Sequence, residues 1–394
     1  MLKGKTVVLG VTGSIAAYKI ANLARMLVKQ HCEVHVLMTQ NATNFINPIT
    51  FETLTKHKCL IDTFDRNFEF SVEHVALAKA ADVVMIAPAS ANVIGKIANG
   101  IADDMLTTTV MACPCKKIVS PAMNHNMFHN PIVQDNIEKL KHYGYEIVEP
   151  AHGMLANGDM GDGRMPDEEL LFEYIVKEIA FEKDMTGKKV LVTAGATVEV
   201  IDPVRFITNH SSGKMGFALA KNAMLRGADV TLVMGKCDSE PPVFVNTVKV
   251  QSAKDMYDAV IERADSMDII VKAAAVADYR PKNVSSEKVK KQDGNMSIEL
   301  ERTDDILKTL GERKNGQFIC GFSMETENML ENSRKKLEKK NCDMIVANNL
   351  KQDGAGFGGN TNIVTLITKD DEVQLEKMTK DEVAEKIFDF ILSR

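Results

Sequence analysis

Residues 4–14 read Gly4-Lys5-Thr6-Val7-Val8-Leu9-Gly10-Val11-Thr12-Gly13-Ser14, and residues 187–197 repeat the plan as Gly187-Lys188-Lys189-Val190-Leu191-Val192-Thr193-Ala194-Gly195-Ala196-Thr197. Each sets a short continuous apolar run before a Thr/Gly turn. Such a run reads as a strand buried on both faces, as in a parallel sheet covered by crossover helices. Working outward from the first, Ile15, Ile20, Leu23, Ala24, Leu27 and Val28 recur at helical spacing, and Glu33–Met38 reads as a second strand. After the repeat, Met215–Leu225 has helical spacing, Gly227 stops it, and Asp229–Met234 is again a strand. Both halves thus open as βαβ units. Further strands are expected at Val83–Ala87, Lys117–Ser120, Ile269–Ala274, Phe318–Phe322 and Met344–Ala347.

The 394 residues suit two or three domains. The amphipathic stretch Glu168–Ala180 and the polar Glu182–Thr186 place a join near residue 184. The predicted fold class is therefore α/β, with two doubly wound, Rossmann-like parallel-sheet domains at 1–184 and 187–394. Eight of the nine histidines lie at or before His152, so imidazole chemistry belongs to the first domain.

A net charge of −6 argues against a nucleic-acid partner, which calls for a basic stripe. Apolar runs stay far short of the 18 or so residues of a membrane span, so no membrane partner is expected. The opening Met1–Lys5 lacks a secretory leader's apolar core, and a cytoplasmic location is expected. Seven thinly spread cysteines do not make a disulfide framework, and the pair Cys113-Pro114-Cys115 lacks a second pair at zinc spacing.

Several loops carry candidate chemistry. The Gly10–Ser14 turn presents N–H groups at a helix start, which suits a phosphate. Its G-x-x-G-S spacing, and the ending Met38-Thr39-Gln40 without a ribose-binding acid, favour a mononucleotide over a dinucleotide such as NAD; a plain βα turn fits equally well. His74 opens a helical stretch, where a lone histidine is most often a cap or surface residue. Pro88-Ala89-Ser90-Ala91-Asn92 and Pro121-Ala122-Met123-Asn124-His125-Asn126-Met127-Phe128 each follow a strand. Small and amide residues there sit where open α/β sheets bind ligands, and packed polar loops are the plainer reading.

Taken together, Gly13-Ser14-Ile15-Ala16, His74, Pro88–Asn92, Asn99–Asp104 and Pro121–Met127 resemble, in order, the flavin-dependent cysteine decarboxylase family. The resemblance implies bound FMN, held by Gly13, Ser14, Thr39, Ser90 and Asn92, and a trimer with the flavin near a subunit interface. It implies His74 as the acid/base residue and Asn124 as the ligand of the substrate carboxylate; imidazole titrates near neutrality, and an amide holds a carboxylate without an ionic lock. The family's catalytic cysteine falls at Asn157, in the glycine-rich stretch Gly153–Gly163, which suits a covering lid. An amide is no acid, so Asp159, water or another thiol would have to donate the last proton, unless none is needed.

In the second half, Ser211-Ser212-Gly213 with Lys214 suits an anion or a simple helix cap. Asp278 beside the basic run Lys288–Gln292 fits a nucleotide triphosphate with its metal, or a solvated loop. Thr193–Thr197, the block Asp202–Lys214, Ala273–Pro281, Glu287–Gln292, Gly321–Thr326 and Ala347-Asn348-Asn349 resemble the ligase half of the bifunctional decarboxylase–ligase family of coenzyme A biosynthesis. The resemblance implies joining of 4′-phosphopantothenate to L-cysteine, with CTP as co-substrate and Mg2+ offsetting its charge. Asn209 would bind the acyl group; Ala274, Ala275 and Asp278 would line the site; Lys288 would stabilise charge during cytidylyl transfer. Asp304, Asp305, Ile306, Leu307, Phe322, Lys336 and Lys340 would complete the CTP site. No protein metal ligands are assigned. A dimer through this half and a trimer through the first would combine into a dodecameric homo-oligomer. The competing expectation is a CTP-dependent ligase fused to a non-catalytic, flavin-binding regulatory module.

Overall fold

The computed structural model describes residues 2–63, 73–154, 158, 160–290, 296–325, 328–349 and 358–394. The chain divides into two units, Met1–Phe181 and Glu182–Arg394, each with its own sheet.

The first unit runs β1 (Thr6–Val11), α1 (Ala17–Lys29), β2 (Glu33–Met38), α2 (Pro48–Thr55), α3 (Glu73–Ala80), β3 (Val83–Ala89), α4 (Ala91–Ala98), α5 (Met105–Ala112), β4 (Lys116–Pro121), α6 (His125–Phe128), α7 (Pro131–His142), β5 (Glu146–Ile147), β6 (Ala151–Met154), β7 (Met160–Arg164) and α8 (Glu168–Ile179). Its parallel sheet has the order β2-β1-β3-β4-β5. The apolar runs behave as parallel-sheet chemistry demands: β3 is buried at every position and β1 at all but its first. On α1, Ala17, Ile20, Leu23, Ala24 and Leu27 form the buried stripe that the helical spacing predicts. The order reverses between β1 and β3, so a crevice opens there, at the carboxyl ends of the strands.

The second unit runs β8 (Lys189–Ala194), β9 (Val198–Val200), β10 (Phe206–Thr208), α9 (Lys214–Leu225), β11 (Asp229–Met234), β12 (Asn246–Lys249), α10 (Ala253–Ala264), β13 (Ile269–Lys272), β14 (Tyr279–Pro281), β15 (Leu300–Arg302), α11 (Ile306–Glu312), β16 (Phe318–Glu325), α12 (Met329–Lys339), β17 (Met344–Asn349), β18 (Thr361–Asn362), β19 (Val364–Ile367), β20 (Glu372–Gln374), β21 (Met378–Thr379) and α13 (Lys380–Leu392). Its sheet order is β12-β11-β8-β13-β16-β17-β19-β20, parallel through β17 and antiparallel beyond. Here the reversal lies between β8 and β13. Helix α9 lies close on β8 because Gly216 lacks a side chain: a Cβ there would meet that of Ala194 at 2.5 Å.

Strand β13 ends at Lys272, two residues short of the expected Ala274. Beyond it the ladder is interrupted: Ala274 N–H donates to the Thr193 hydroxyl at 3.0 Å, after which Ala275 N–H donates to the Gly195 carbonyl at 2.8 Å and Ala275 bridges Ala196 in parallel. All seven cysteines are free thiols. No helix among the described residues is long and apolar enough to cross a membrane.

Candidate functional sites at the two strand-order reversals

In the first unit the crevice is held by one hydroxyl. Thr12, fully buried, donates to the Pro88 carbonyl at 2.6 Å and accepts from Ser90 N–H at 2.9 Å. This ties the Gly13-Ser14 turn to the Ser90 turn that caps α4. Thr39 caps the short helical turn after β2 by accepting from Ala42 N–H. Gly13 is sterically required, since a Cβ would stand 2.9 Å from that of Asn41. Asn92 is exposed on the first turn of α4.

Next to this edge lies a cavity of 390 Å³ whose walls include Ser14, Ile15, Tyr18, Met123, Asn124, Met154 and Gly163. Lys19 also lines it, with its ammonium on the Asp167 carboxylate at 2.8 Å; that hydrogen bond holds the Asp167 carboxyl below its usual range. The remaining wall is mostly apolar, as a flat aromatic ligand needs. Asn124 is placed by capping α6: its side-chain oxygen accepts from Asn126 N–H at 2.9 Å, which leaves its NH2 group to donate elsewhere.

The floor of the cavity is closed by the β6–β7 hairpin. Met123 N–H donates to the Gly163 carbonyl at 3.0 Å. Gly163 has φ +120°, and a Cβ there would stand 2.3 Å from the Met123 carbonyl oxygen. Glycine at this position serves close approach, in addition to any freedom of a lid. Ser14 and Asn124 thus share one cavity. His74, half-buried on the first turn of α3, is not among its lining residues. Asn157 and Asp159 lie outside the described residues.

In the second unit a pocket of 410 Å³ opens at the end of β13. It brings together Asp278, Asp304, Asp305, Ile306, Leu307, Lys336 and Lys340, and adds Lys272, Arg302 and Thr303, which sequence reasoning missed. The loop after β13 is stitched in place: Ala277 N–H donates to the Thr197 hydroxyl at 3.0 Å, and Thr303 donates to the Ala277 carbonyl at 2.6 Å. Asn209 donates to the Val276 carbonyl at 3.1 Å, which sets it against this loop. Ala274 is buried and Ala275 half-buried in the stitch itself. Phe322 is half-buried, and its carbonyl accepts from the Lys336 ammonium at 2.9 Å.

Charge in this pocket is concentrated. Lys340 pairs with Asp305, which also caps α11. Burial alone would raise the Asp305 carboxyl, but the hydrogen bonds from Lys340 and Lys308 N–H outweigh it and keep the carboxyl below its usual range. Lys272 sits half-buried at the pocket floor. Burial, and then the like charge of Lys336, push its ammonium down to about 8. Three lysines thus face a space bordered by three carboxylates, an arrangement suited to a polyanion carrying a divalent cation.

Lys288 is exposed and is not among this pocket's lining residues. Its neighbour Val289 is anchored: Val289 N–H donates to the buried Asp202 carboxylate at 3.2 Å, and Arg205 bonds both Asp202 and the Val289 carbonyl. Lys214 donates to the Gly358 carbonyl at 3.1 Å and the Asn360 side chain at 2.9 Å, so its charge is directed at residues 358–360.

Comparison with known proteins divides the chain at the same region. The family model described as Flavoprotein matches residues 1–180, and that described as DNA/pantothenate metabolism flavoprotein C-terminal domain matches residues 185–394. A Bacillus subtilis (strain 168) relative named coenzyme A biosynthesis bifunctional protein CoaBC is 48% identical over 373 residues, covering 94% of this chain and 92% of its own. Its namesake from Vibrio cholerae is 42% identical over 393 residues, covering 99% and 98%. A solved structure of the C-terminal domain of a coenzyme A biosynthesis bifunctional protein CoaBC is 49% identical and covers 52% of this chain and 95% of its own, with a TM-score of 0.46.

Proposed function

Because the chain belongs to the family of coenzyme A biosynthesis bifunctional proteins, we propose that its two crevices perform successive steps: residues 187–394 join 4′-phosphopantothenate to L-cysteine, and residues 1–184 decarboxylate the product to 4′-phosphopantetheine. The observation that carries the ligase reading is the pocket at the end of β13, where Lys272, Lys336 and Lys340 face Asp278, Asp304 and Asp305. CTP with Mg2+ fits such a space. The metal would be held chiefly by triphosphate oxygens, as Mg2+ keeps most of its own water.

In the first ligase step the substrate carboxylate attacks the α-phosphorus and pyrophosphate leaves; in the second the cysteine amine attacks the acyl carbon and CMP leaves. The lysines stabilise charge where it develops. Lys288, on the segment anchored by Asp202 and Arg205, reaches the transferring phosphoryl group, and Asn209 positions the acyl substrate against the stitched loop.

In the flavoprotein unit, Gly13, Ser14, Thr39, Ser90 and Asn92 fit FMN: the Gly13 turn has no room for a side chain, and the adjoining cavity is mostly apolar. The flavin supplies reversible two-electron oxidation of the cysteinyl thiol. Asn124 donates its free NH2 group to the carboxylate that is lost, and the surrounding apolar wall favours loss of that charge as CO2. His74 moves the proton. The trimer that the family resemblance implies would complete this site with a second copy of the chain, His74 lying outside the lining that Ser14 and Asn124 share.

A coupled incubation with CTP, L-cysteine and 4′-phosphopantothenate, with each species resolved by mass, tests both halves. The expected series is pyrophosphate and CMP, then the cysteine conjugate, then the product lighter by CO2. Lys288→Ala should abolish pyrophosphate release and leave decarboxylation of supplied conjugate intact. Normal pyrophosphate release by that variant would overturn the ligase assignment. Absence of CO2 from the wild-type chain would favour a regulatory flavin-binding module instead.

A further inference from the structure

Outside both crevices, α6 and the β6–β7 hairpin assemble a cluster that the reaction does not use. His125 opens α6 and His129 caps its C-terminus one turn later, and Asp162 faces them from β7. One potential ligand atom from each lies within 4.8 Å of the others. Asp162 Oδ2 is 3.0 Å from His129 Nε2, and its other oxygen is 2.9 Å from His152 Nδ1 on β6. The two rings meet edge to face with centroids 4.4 Å apart, beside the small volume that the three ligand atoms share. Gly161 keeps that volume open, since a Cβ there would stand 2.8 Å from His125 Nδ1.

We propose that His125, His129 and Asp162 bind one divalent transition-metal ion of the zinc class. Two neutral imidazoles and one carboxylate form a donor set for Zn2+, Co2+ or Ni2+, with solvent filling the open position, because His129 and Asp162 are partly exposed. His152 completes the arrangement from outside, holding the second Asp162 oxygen as an outer partner holds a ligating carboxylate.

Without metal, Asp162 N–H donates to His125 Nδ1 at 3.1 Å. Ligation exchanges this bond whichever nitrogen is used: Nδ1 would give its lone pair to the ion, and Nε2 ligation would place the proton on Nδ1. The ion therefore fastens the hairpin to α6 by stronger bonds than the hydrogen bonds to His125 and His129 that it replaces. Since Asn124 precedes α6 and Gly163 follows Asp162, it sets the wall of the decarboxylase cavity without touching substrate.

The test uses the full-length chain with its flavin, stripped with a chelator and titrated with Co2+. Visible d–d absorption reports ligand geometry, and equilibrium dialysis reports stoichiometry and affinity. About one Co2+ per chain is expected, with no thiolate charge-transfer band. His129→Gln and Asp162→Asn should each weaken binding more than about 100-fold, and His152→Gln about tenfold. Flavin absorbance and metal-free melting temperature confirm that each variant is folded. In the wild type alone, Zn2+ should slow hydrogen exchange along β7, the Asp162 amide excepted because ligation takes away its acceptor. Failure to bind stoichiometric Co2+, equal affinity in the His129 and Asp162 variants, or a thiolate band marking Cys113 and Cys115 would each overturn the proposal. Loss of decarboxylase activity with intact Co2+ binding would instead count against the reading of the cavity alone.

Discussion

Lys272→Met separates what this half-buried cation costs the fold from what it gives the site. The ammonium is pushed from 10.5 down to about 8, chiefly by burial and then by Lys336. That drop corresponds to a penalty of about 3 kcal/mol on the charged form. The folded chain binds this proton less tightly than the unfolded chain. Between pH about 8 and 10.5 the unfolded state therefore holds more protons, and stability rises with pH; below about 8 the penalty is fully present. Methionine keeps the length and removes the charge, so at pH 7 the variant should be more stable by up to about 3 kcal/mol, read as slower hydrogen exchange along β13. The same change should raise the KM for CTP about 10- to 100-fold at pH 7, since a cation about 5 Å from a phosphate in this setting is worth a few kcal/mol. Above pH 8 the wild-type KM should climb by up to about tenfold per pH unit, while the variant's profile stays flat until other groups titrate. Parallel profiles in the two proteins, or a variant no more stable at pH 7, would refute the assignment of Lys272 to the nucleotide pocket at the cost of a strained charge.

Other perturbations test the scaffolding of each site. Burial would raise the Asp202 carboxyl, but N–H bonds from Val204, Arg205 and Val289 outweigh it and hold it at about 2. Its anchoring contribution is present above the ordinary carboxylate range and is lost only as pH falls through about 2, so Asp202→Asn, not mild acid, should free the Lys288 segment; ligase kcat should fall at least about tenfold at pH 7.5. Thr12→Val strands the Pro88 carbonyl and Ser90 N–H; it should cost about 1–3 kcal/mol in denaturant titration and shed flavin on gel filtration, with Thr12→Ser retaining both. Gly311→Ala places a Cβ 1.8 Å from the Lys340 carbonyl oxygen, so α11 must move away from Lys340. A several-fold rise in the KM for CTP and about 1–3 kcal/mol of lost stability are expected, the second measured by urea titration.

Strands and helices that form the two sheets were legible because both-face burial and helical spacing leave patterns within a dozen residues. Glu33–Met38 and Asp229–Met234 have the predicted bounds. The antiparallel edge was not legible: β20 is three exposed residues, Glu372–Gln374, with no alternation to read. Lys272 was invisible for a different reason. It ends an apolar run and reads as part of a strand, and only the position of β13 beside the order reversal turns it into a pocket residue. Arg302 and Thr303 enter from a three-residue strand pairing that sequence spacing does not announce. The glycines of Gly153–Gly163 suggested looseness, whereas Gly161 and Gly163 are placed where neighbours leave no room for a side chain. His125 and Asp162 meet across 37 positions, a separation no local motif can encode.

The two sheets differ in strand order, yet each uses the same device where its central strands part. Thr12 accepts Ser90 N–H at 2.9 Å, and Thr193 accepts Ala274 N–H at 3.0 Å. At those points the ladder between backbone groups is interrupted, and a side-chain oxygen takes the vacant rung. A sheet can then open a mouth for a ligand without leaving a bare amide at its lip, and the gap is held to the reach of a single hydroxyl.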